Sequence, residues 1–454
     1  MRLQRSEVRT QMRAIVAAAL VLALPLQALA ADGGGLIRDA EIEHNTRVLA
    51  APIFAAANLD PTVVEINLVD DSRINAFVAG GQRVFLNTGL ILAARDPLEV
   101  AGVIAHETGH ISGGHLARTQ QALAGATAQS IVAFILGAAA IAGGAADAGA
   151  AIVLGGREAA ERSLLRYSRT QESAADQAGL SLLIKAGYSP RGLISFMELM
   201  AQQDGLLESR QDPYVRSHPV FPERLAALRE RAAAAGPERP LPAGTVEAFA
   251  RTQAKIFGFT QPLGATLRKY PLADTGFAAR YARSIAYHRA GRIDESLAEL
   301  DALLAAQPND AYVQELRGQI LLEHGRVADA IEYYTRAVAL APMEPLIRIG
   351  LGSALVATED PTRTATAIDQ LRTAVNQEPR NADGWRVLAV AFGRAGEVGQ
   401  ASLASAEQNV LVGNSREALR FAEMAIRRID SGSPGWLRAQ DIKRVSEERL
   451  KQQQ

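Results

Sequence analysis

A 34-residue period in the C-terminal part constrains this chain more than any other feature. Ala290-Gly291-Arg292 and His324-Gly325-Arg326 stand 34 residues apart, as do Pro308 and Pro342. A later unit ends at Pro379, 37 residues on, and Gly396 marks the turn of the next. A repeat of that length is one helix–turn–helix unit that cannot bury its apolar face alone, so successive units stack into a solenoid around a continuous core. Glycine belongs at the helix–helix turn, small residues where helices cross, and proline at the end of the unit. Tyr281, Ala330, Tyr334, Ala337 and Pro342 fall at such positions in the first two units, and Trp385, Leu388 and Ala389 open the fourth. The third, around residues 345–379, is degenerate and carries three extra residues, which we place at Asp360-Pro361-Thr362.

This is the tetratricopeptide signature, and the concave face of such an array binds an extended segment or helix of another protein. The plainer alternative is a scaffold that docks only on its own catalytic domain. With 454 residues and repeats beginning near Gly276, the chain has room for a second domain ahead of the array. The Pro-rich stretch at 236–245 predicts the boundary. The expected organisation is a signal peptide over 1–30, a catalytic domain over 31–235, a linker with a connecting helix over 236–275, and repeats over 276–445.

The first 30 residues have the layout of a secretory signal: Arg2, Arg5, Arg9 and Arg13, an uncharged run from Ala14 to Leu24, then Pro25 and Ala28-Leu29-Ala30. The apolar run falls short of the roughly 20 residues that span a bilayer as a helix, so cleavage after Ala30 is expected, with an uncleaved anchor as the alternative. The balance of 48 Lys and Arg against 49 Asp and Glu offers no basic excess for nucleic acid. The chain lacks cysteine, which excludes disulfides, thiolate metal sites and cysteine nucleophiles and fits an oxidising compartment such as the periplasm. Any metal is left to His, Asp or Glu.

Within Leu98–Ala117 stands His106-Glu107-Thr108-Gly109-His110. On a helix, His106 and His110 lie at i and i+4, so both imidazoles leave one face and can bind the same zinc. Glu107 points too far round to join them and is placed to serve as general base, later returning the proton to the leaving amine. Asp96-Pro97 ahead of the motif supplies an N-cap and a first-turn proline, which favours a helix. A catalytic zinc takes a third protein ligand and keeps a fourth position open. Downstream, Glu172 and Asp176 lie at i and i+4 on a second helical stretch: Glu172 can be the third ligand, and Asp176 can accept a hydrogen bond from a ligand histidine. The other reading of that pair is a solvated helix face.

His-Glu-x-x-His, the later Glu-x-x-Ala-Asp, and the stretch from Ile74-Asn75-Ala76-Phe77 through Gly80-Gly81 to Asn87-Thr88-Gly89-Leu90 resemble the family of zinc peptidases that includes the CAAX prenyl protease and the heat-shock membrane protease HtpX. The resemblance implies one zinc ion held by His106, His110 and Glu172, and a small sheet beside the cleft. A substrate chain can add to that sheet as a strand at Asn75, Ala76 and Phe77. Repeats behind an export signal make the chain similar to members of the family that serve β-barrel assembly in the periplasm. The partners this implies are misfolded outer-membrane β-barrel proteins and the β-barrel assembly machinery. The expected fold is α+β and mostly helical: a zincin-like metallopeptidase domain with a small β-sheet, followed by an α-helical tetratricopeptide solenoid.

His218, in Arg216-Ser217-His218-Pro219, matches a His-Pro segment of that family, and three roles stay open: an oxyanion stabiliser, a fourth zinc ligand that keeps the enzyme latent, or a packing residue. His115 is expected to face away from His110, five residues on, if the helix survives Gly113-Gly114. Residues 119–146 carry no charge, yet one membrane crossing would part His110 from Glu172; a helical hairpin or lid over the cleft, touching membrane or substrate, is the expected form. The reading is a periplasmic zinc metalloendopeptidase that degrades misfolded or stalled outer-membrane proteins and supports their assembly. Its rival is a chaperone or assembly adaptor in which binding dominates.

Overall fold

The computed structural model describes residues 35–115, 118, 168–202, 212–219, 222–235 and 240–452. The export signal at 1–30 and the uncharged run at 119–146 lie outside the described residues. Contacts group the chain into two units: residues up to Ile37 with Glu43–Ile256, and Arg38–Ile42 with Phe257–Gln454. Among the described residues no helix is long and apolar enough to cross a membrane.

The first unit is built on a four-stranded sheet in the order β1-β2-β4-β3. Its strands are β1 (Leu36–Ile37), β2 (Glu65–Val69), β3 (Ala76–Ala79) and β4 (Arg83–Asn87). β1 runs antiparallel to β2, β2 parallel to β4, and β3 antiparallel to β4 with Phe77 opposite Phe85. Those two rings stack at 4.9 Å, a cross-strand aromatic pair that fixes the hairpin register. Residues 36–57 read as one helix in the sequence, but Leu36 and Ile37 pair with Val69 and Leu68, and helix α1 (Ala40–Ala56) starts behind Asp39, which accepts the amide of Ile42. Two apolar residues ahead of a capping aspartate serve a sheet edge as readily as a helix turn, which is why the pattern misled.

After the short α2 (Thr88–Ala93), α3 (Pro97–Ser112) packs on β3 and β4. Asp96 caps it by accepting the amides of Leu98 (2.8 Å) and Glu99 (3.1 Å), with Pro97 in the first turn. α3 is buried almost throughout from Pro97 to Gly109. Its neighbours in sequence are α4, described over residues 168–186, α5 (Arg191–Ala201), α6 (Pro213–Ser217) and α7 (Pro222–Ala233).

Beyond α8 (Thr245–Thr260) and α9 (Leu263–Lys269), the second unit consists of antiparallel helix pairs. They are α10 (Phe277–Arg289) with α11 (Ile293–Ala306), α12 (Ala311–Glu323) with α13 (Val327–Leu340), α14 (Pro345–Ala357) with α15 (Pro361–Gln377), and α16 (Ala382–Arg394) with α17 (Val398–Leu411). α18 (Ser415–Ile426) and α19 (Pro434–Gln452) follow. The period is physical: Ser296, Leu300 and Leu303 are buried at the places that Ala330, Tyr334 and Ala337 take 34 residues later. In the third unit the buried set is Ala367, Leu371 and Ala374, displaced by 37. The three extra residues lengthen the second helix to 17 residues where its counterparts have 14, and they add a turn at its N-terminus behind the cap Asp360. At the tight turns Gly291, Gly325 and Gly396 take φ of 73–75°; the third unit places Glu359 there, at φ 57°.

Candidate metal centre

α3 and α4 approach so closely at the site that side chains are excluded between them. A Cβ on Gly109 would lie 2.7 Å from the carbonyl oxygen of Ala175, and one on Gly179 would lie 3.0 Å from the amide of His106. Glycine is therefore required within the His-Glu-x-x-His segment itself, and the crossing brings Glu172 and Asp176 onto the two histidines.

The sequence-predicted residues converge. His106, His110, Glu172 and His218 each offer one ligand atom, all within 4.8 Å of one another. His106 Nε2 is 3.1 Å from His110 Nε2 and 3.4 Å from both His218 Nδ1 and Glu172 Oε2. Glu172 Oε1 is 3.4 Å from His110 Nε2, and both its oxygens are 3.2 Å from His218 Nδ1. A tetrahedral cation with bonds of about 2.0–2.2 Å needs ligand atoms about 3.3–3.6 Å apart, and with either oxygen of Glu172 taken as its ligand atom four edges of such a figure are matched here to within about 0.2 Å. Three imidazoles and one carboxylate are the donor set of a borderline cation, so the residues present fit a metal of that kind.

Asp176 Oδ1 lies 3.0 Å from His106 Nδ1, on the side of the ring away from the cluster. Glu107 points elsewhere: its Oε1 is buried without a hydrogen bond, 3.4 Å from His218 Nε2. Ala76 and Phe77 open β3, at the edge of the sheet on which α3 packs, and Asn75 precedes the strand with its carbonyl accepting from the Asn87 amide at 3.0 Å.

The electrostatics favour the charged form of His106 and Glu172 and disfavour that of His110 and Glu107. Burial opposes a charge on His106, but hydrogen bonds to Asp176 and Glu172 overcome it and raise its pKa to about 10. Burial pushes the Glu172 carboxyl up, and His218 with His106 brings it well below its ordinary range. Desolvation, with His106 as a second cause, drives His110 well below the usual imidazole value. Glu107 is raised by burial, which outweighs the pull of His218 and His106. Carboxylates that retain a proton on a fully buried imidazole would retain a metal cation in the same place.

Sequence reasoning missed three residues. Arg224 is 5% exposed and forks onto Asp176, Nε to Oδ2 at 2.6 Å and Nη2 to Oδ1 at 2.8 Å. It also reaches Glu172 Oε2 at 3.1 Å and the carbonyl of Pro219 at 2.5 Å. One guanidinium thus braces the carboxylate behind His106, the carboxylate in the cluster and the His218 loop. Nothing local marked it: α7 mixes Leu and Ala with charged residues, and only the fold shows that Arg224 is buried together with Leu228. Tyr214 packs its buried ring 4.7 Å from that of His218. The third is His115, whose Nδ1 stands 3.0 Å from His110 Nδ1 although it was expected to face away. α3 ends at Ser112, and Gly114 at φ 62° turns the chain back over the helix end.

A small sheet under a helix with His-Glu-x-x-His, a crossing helix with Glu-x-x-Ala-Asp, and a train of helical repeats define a metallopeptidase carrying tetratricopeptide repeats. Comparison with known proteins agrees: residues 37–232 match Peptidase family M48 and residues 281–345 match the tetratricopeptide repeat. The chain belongs to peptidase family M48 and is a metalloprotease. It is 28% identical over 409 residues to the beta-barrel assembly-enhancing protease of Yersinia pestis, covering 88% of this chain and 82% of that protein. The protein of the same name from Escherichia coli (strain K12) is 26% identical over 408 residues, covering 88% and 81%. Metalloprotease LoiP of Escherichia coli (strain K12) is 30% identical over 206 residues, covering 45% and 77%.

Proposed function

We propose that this chain is a periplasmic zinc endopeptidase that removes misfolded or stalled outer-membrane β-barrel proteins and supports their assembly, its repeats recruiting clients or the assembly machinery. The convergence of His106, His110 and Glu172, with Glu107 buried beside them, carries the proteolytic part. The names of the relatives, the signal-like N-terminus and the absence of cysteine support the cellular setting.

In this reading His106, His110 and Glu172 hold the ion, and Asp176 fixes the His106 tautomer through Nδ1. Zinc, if bound there, would supply Lewis-acid activation of water and of the scissile carbonyl. Glu107 takes the proton of the attacking water and delivers it to the leaving amine; burial raises its pKa above the ordinary carboxylate value, which favours its holding that proton between the two steps. A substrate strand adds to β3. The register of β3 on β4 points the backbone groups of Ile74, Ala76 and Val78 away from β4. The chain itself occupies the first of these rungs, because Asp212 Oδ1 accepts from the Ile74 amide at 3.0 Å and the Tyr214 amide donates to the Ile74 carbonyl at 3.2 Å. Ala76 and Val78 provide the next rungs.

His218 Nδ1 stands where a fourth ligand would, which favours latency over oxyanion stabilisation. His218→Ala is then expected to raise the basal rate of cleavage. The test of the whole reading is cleavage of an unfolded protein by the purified chain, beside Glu107→Gln and with zinc content determined on both. Cleavage by the wild type alone, with zinc in both, is the expected result. A zinc-free wild type overturns the site assignment. Equal cleavage by both overturns the role of Glu107, and zinc-loaded but inert proteins, with His218→Ala equally inert, would return the adaptor reading.

A further inference from the structure

Two of the three imidazoles in the cluster have their outward side accounted for: His106 by Asp176, and His218, whose second nitrogen faces Glu107. His110 turns Nε2 to the cluster and Nδ1 to His115. We propose that His115 is a positioning residue for His110, accepting the Nδ1 proton of His110 so that Nε2 is held deprotonated toward the metal. This inference rests on the proposal that His110 is a ligand.

The local chain is shaped for that contact. α3 stops at Ser112, and the amides of Gly113 and Gly114 close the turn on the carbonyls of Gly109 and Ile111 at 2.9 and 3.0 Å. Gly114, at φ 62°, takes the left-handed conformation that reverses the chain. The His115 ring then lies directly over Gly113: a Cβ there would sit 2.5 Å from His115 Nε2, 2.8 Å from Cδ2 and 2.9 Å from Cε1. One glycine is needed for direction and the other for clearance, and together they return a residue five positions on to a ring it could not meet on a continuous helix. His115 is 6% exposed, and its carbonyl accepts from Gln171 Nε2 at 3.2 Å, which ties it to the residue before Glu172. The rings of His110 and His115 meet edge to face at 5.0 Å.

The donor and acceptor are fixed by the reading itself. With Nε2 of His110 turned to a cation, its single ring proton is on Nδ1, so His115 Nδ1 accepts and His115 Nε2 carries the other proton. Asp176 performs the same service for His106 with a charged acceptor, so the two helix-borne histidines are oriented by unlike groups. Partners of this sort alter metal affinity by about 10–100-fold when removed.

The experiment is competition for zinc between a chromophoric chelator and the full chain, as wild type and in five variants, with a thermal melt of each stripped protein. Asn places Oδ1 where His has Nδ1, Leu places a methyl there, and Gln carries its oxygen one bond too far. We expect His115→Leu and His115→Gln to release zinc at about 10–100-fold lower chelator concentration, His115→Asn to stay within about threefold of wild type, and Gly113→Ala to follow Leu with His115 intact. His115→Leu retaining zinc like the wild type overturns the proposal, as does equal loss in Leu and Asn, which would mean the ring serves only as packing. A wild type that takes up no zinc, or His110→Ala that keeps it, overturns the underlying ligand assignment instead. The Gly113→Ala arm separates position from composition, since alanine is the better helix former and should not lower the melt on its own.

Discussion

Removing Arg224 should damage the first unit in a way that a second substitution partly repairs, and the two effects can be measured apart. Arg224→Met leaves Asp176, 1% exposed, with its charge buried and only His106 beside it. The wild-type guanidinium donates two short hydrogen bonds to that carboxylate and contacts Glu172 as well. Stripping one partner from a buried pair of this kind costs about 3–5 kcal/mol, because the remaining charge is uncompensated. Adding Asp176→Leu removes the stranded charge, so most of the loss should return. A residue of about 1–3 kcal/mol stays, because His106 Nδ1 has lost its acceptor. Zinc affinity should not return in the double variant. Both tryptophans, Trp385 and Trp436, lie in the second unit, so fluorescence is blind to this change. Amide exchange over residues 168–202 and 222–235 is the appropriate assay. Acid gives an independent check: burial pushes Asp176 up, but Arg224 and His106 hold it below its ordinary value. Its contribution is therefore present above the usual carboxylate range and lost as pH falls through the depressed folded value, so the gap between wild type and Arg224→Met should close below about pH 4. A loss under about 1 kcal/mol at neutral pH, or a double variant no more protected than the single, would refute the reasoning.

Three further outcomes are expected. Glu359→Gly should stabilise the second unit by about 0.5–1 kcal/mol in a urea titration followed by tryptophan fluorescence, since a left-handed non-glycine residue costs about 1–2 kcal/mol and part of that gain is offset in the unfolded chain. Its contact with Arg394 at 3.4 Å is exposed and contributes little. Val78→Pro removes an outward amide of β3 without touching the β4 ladder and should raise KM for an unfolded substrate with zinc content unchanged; an unaltered KM would remove β3 from the substrate path. Chelation should abolish cleavage and zinc restore it, with Glu107→Gln inert throughout.

The repeats were legible because their period is a statement about packing: the residues at 34-residue spacing are those that meet between helices, and the sequence must repeat where the contact repeats. The meeting of His106 with His110 was legible because i and i+4 spacing on a helix carries geometry within the string, whereas His218 was brought to notice by the family resemblance and its place beside them is shown by the fold. What escaped was whatever depends on a turn or on chain segments distant in sequence. His115 looked misdirected because the reversal at Gly113-Gly114 breaks the helical count. Arg224 sat in plain view, yet only the fold shows that it faces Asp176, 48 residues earlier. Leu36 and Ile37 read as a helix start because nothing local distinguishes two apolar residues in a helix from two in a short strand.

The edge of β3 has a consequence for what such an enzyme can recognise. The strand is four residues long, and the first outward rung, at Ile74, is filled by the segment that leads to His218. If a client pairs with the remaining two rungs as proposed, it would be held by its amides and carbonyls, which every sequence presents alike. It must bring its own backbone unpaired, and a chain already closed into a barrel has none to give. Discrimination would then fall on whether the client has finished folding, with the identity of its side chains of little account.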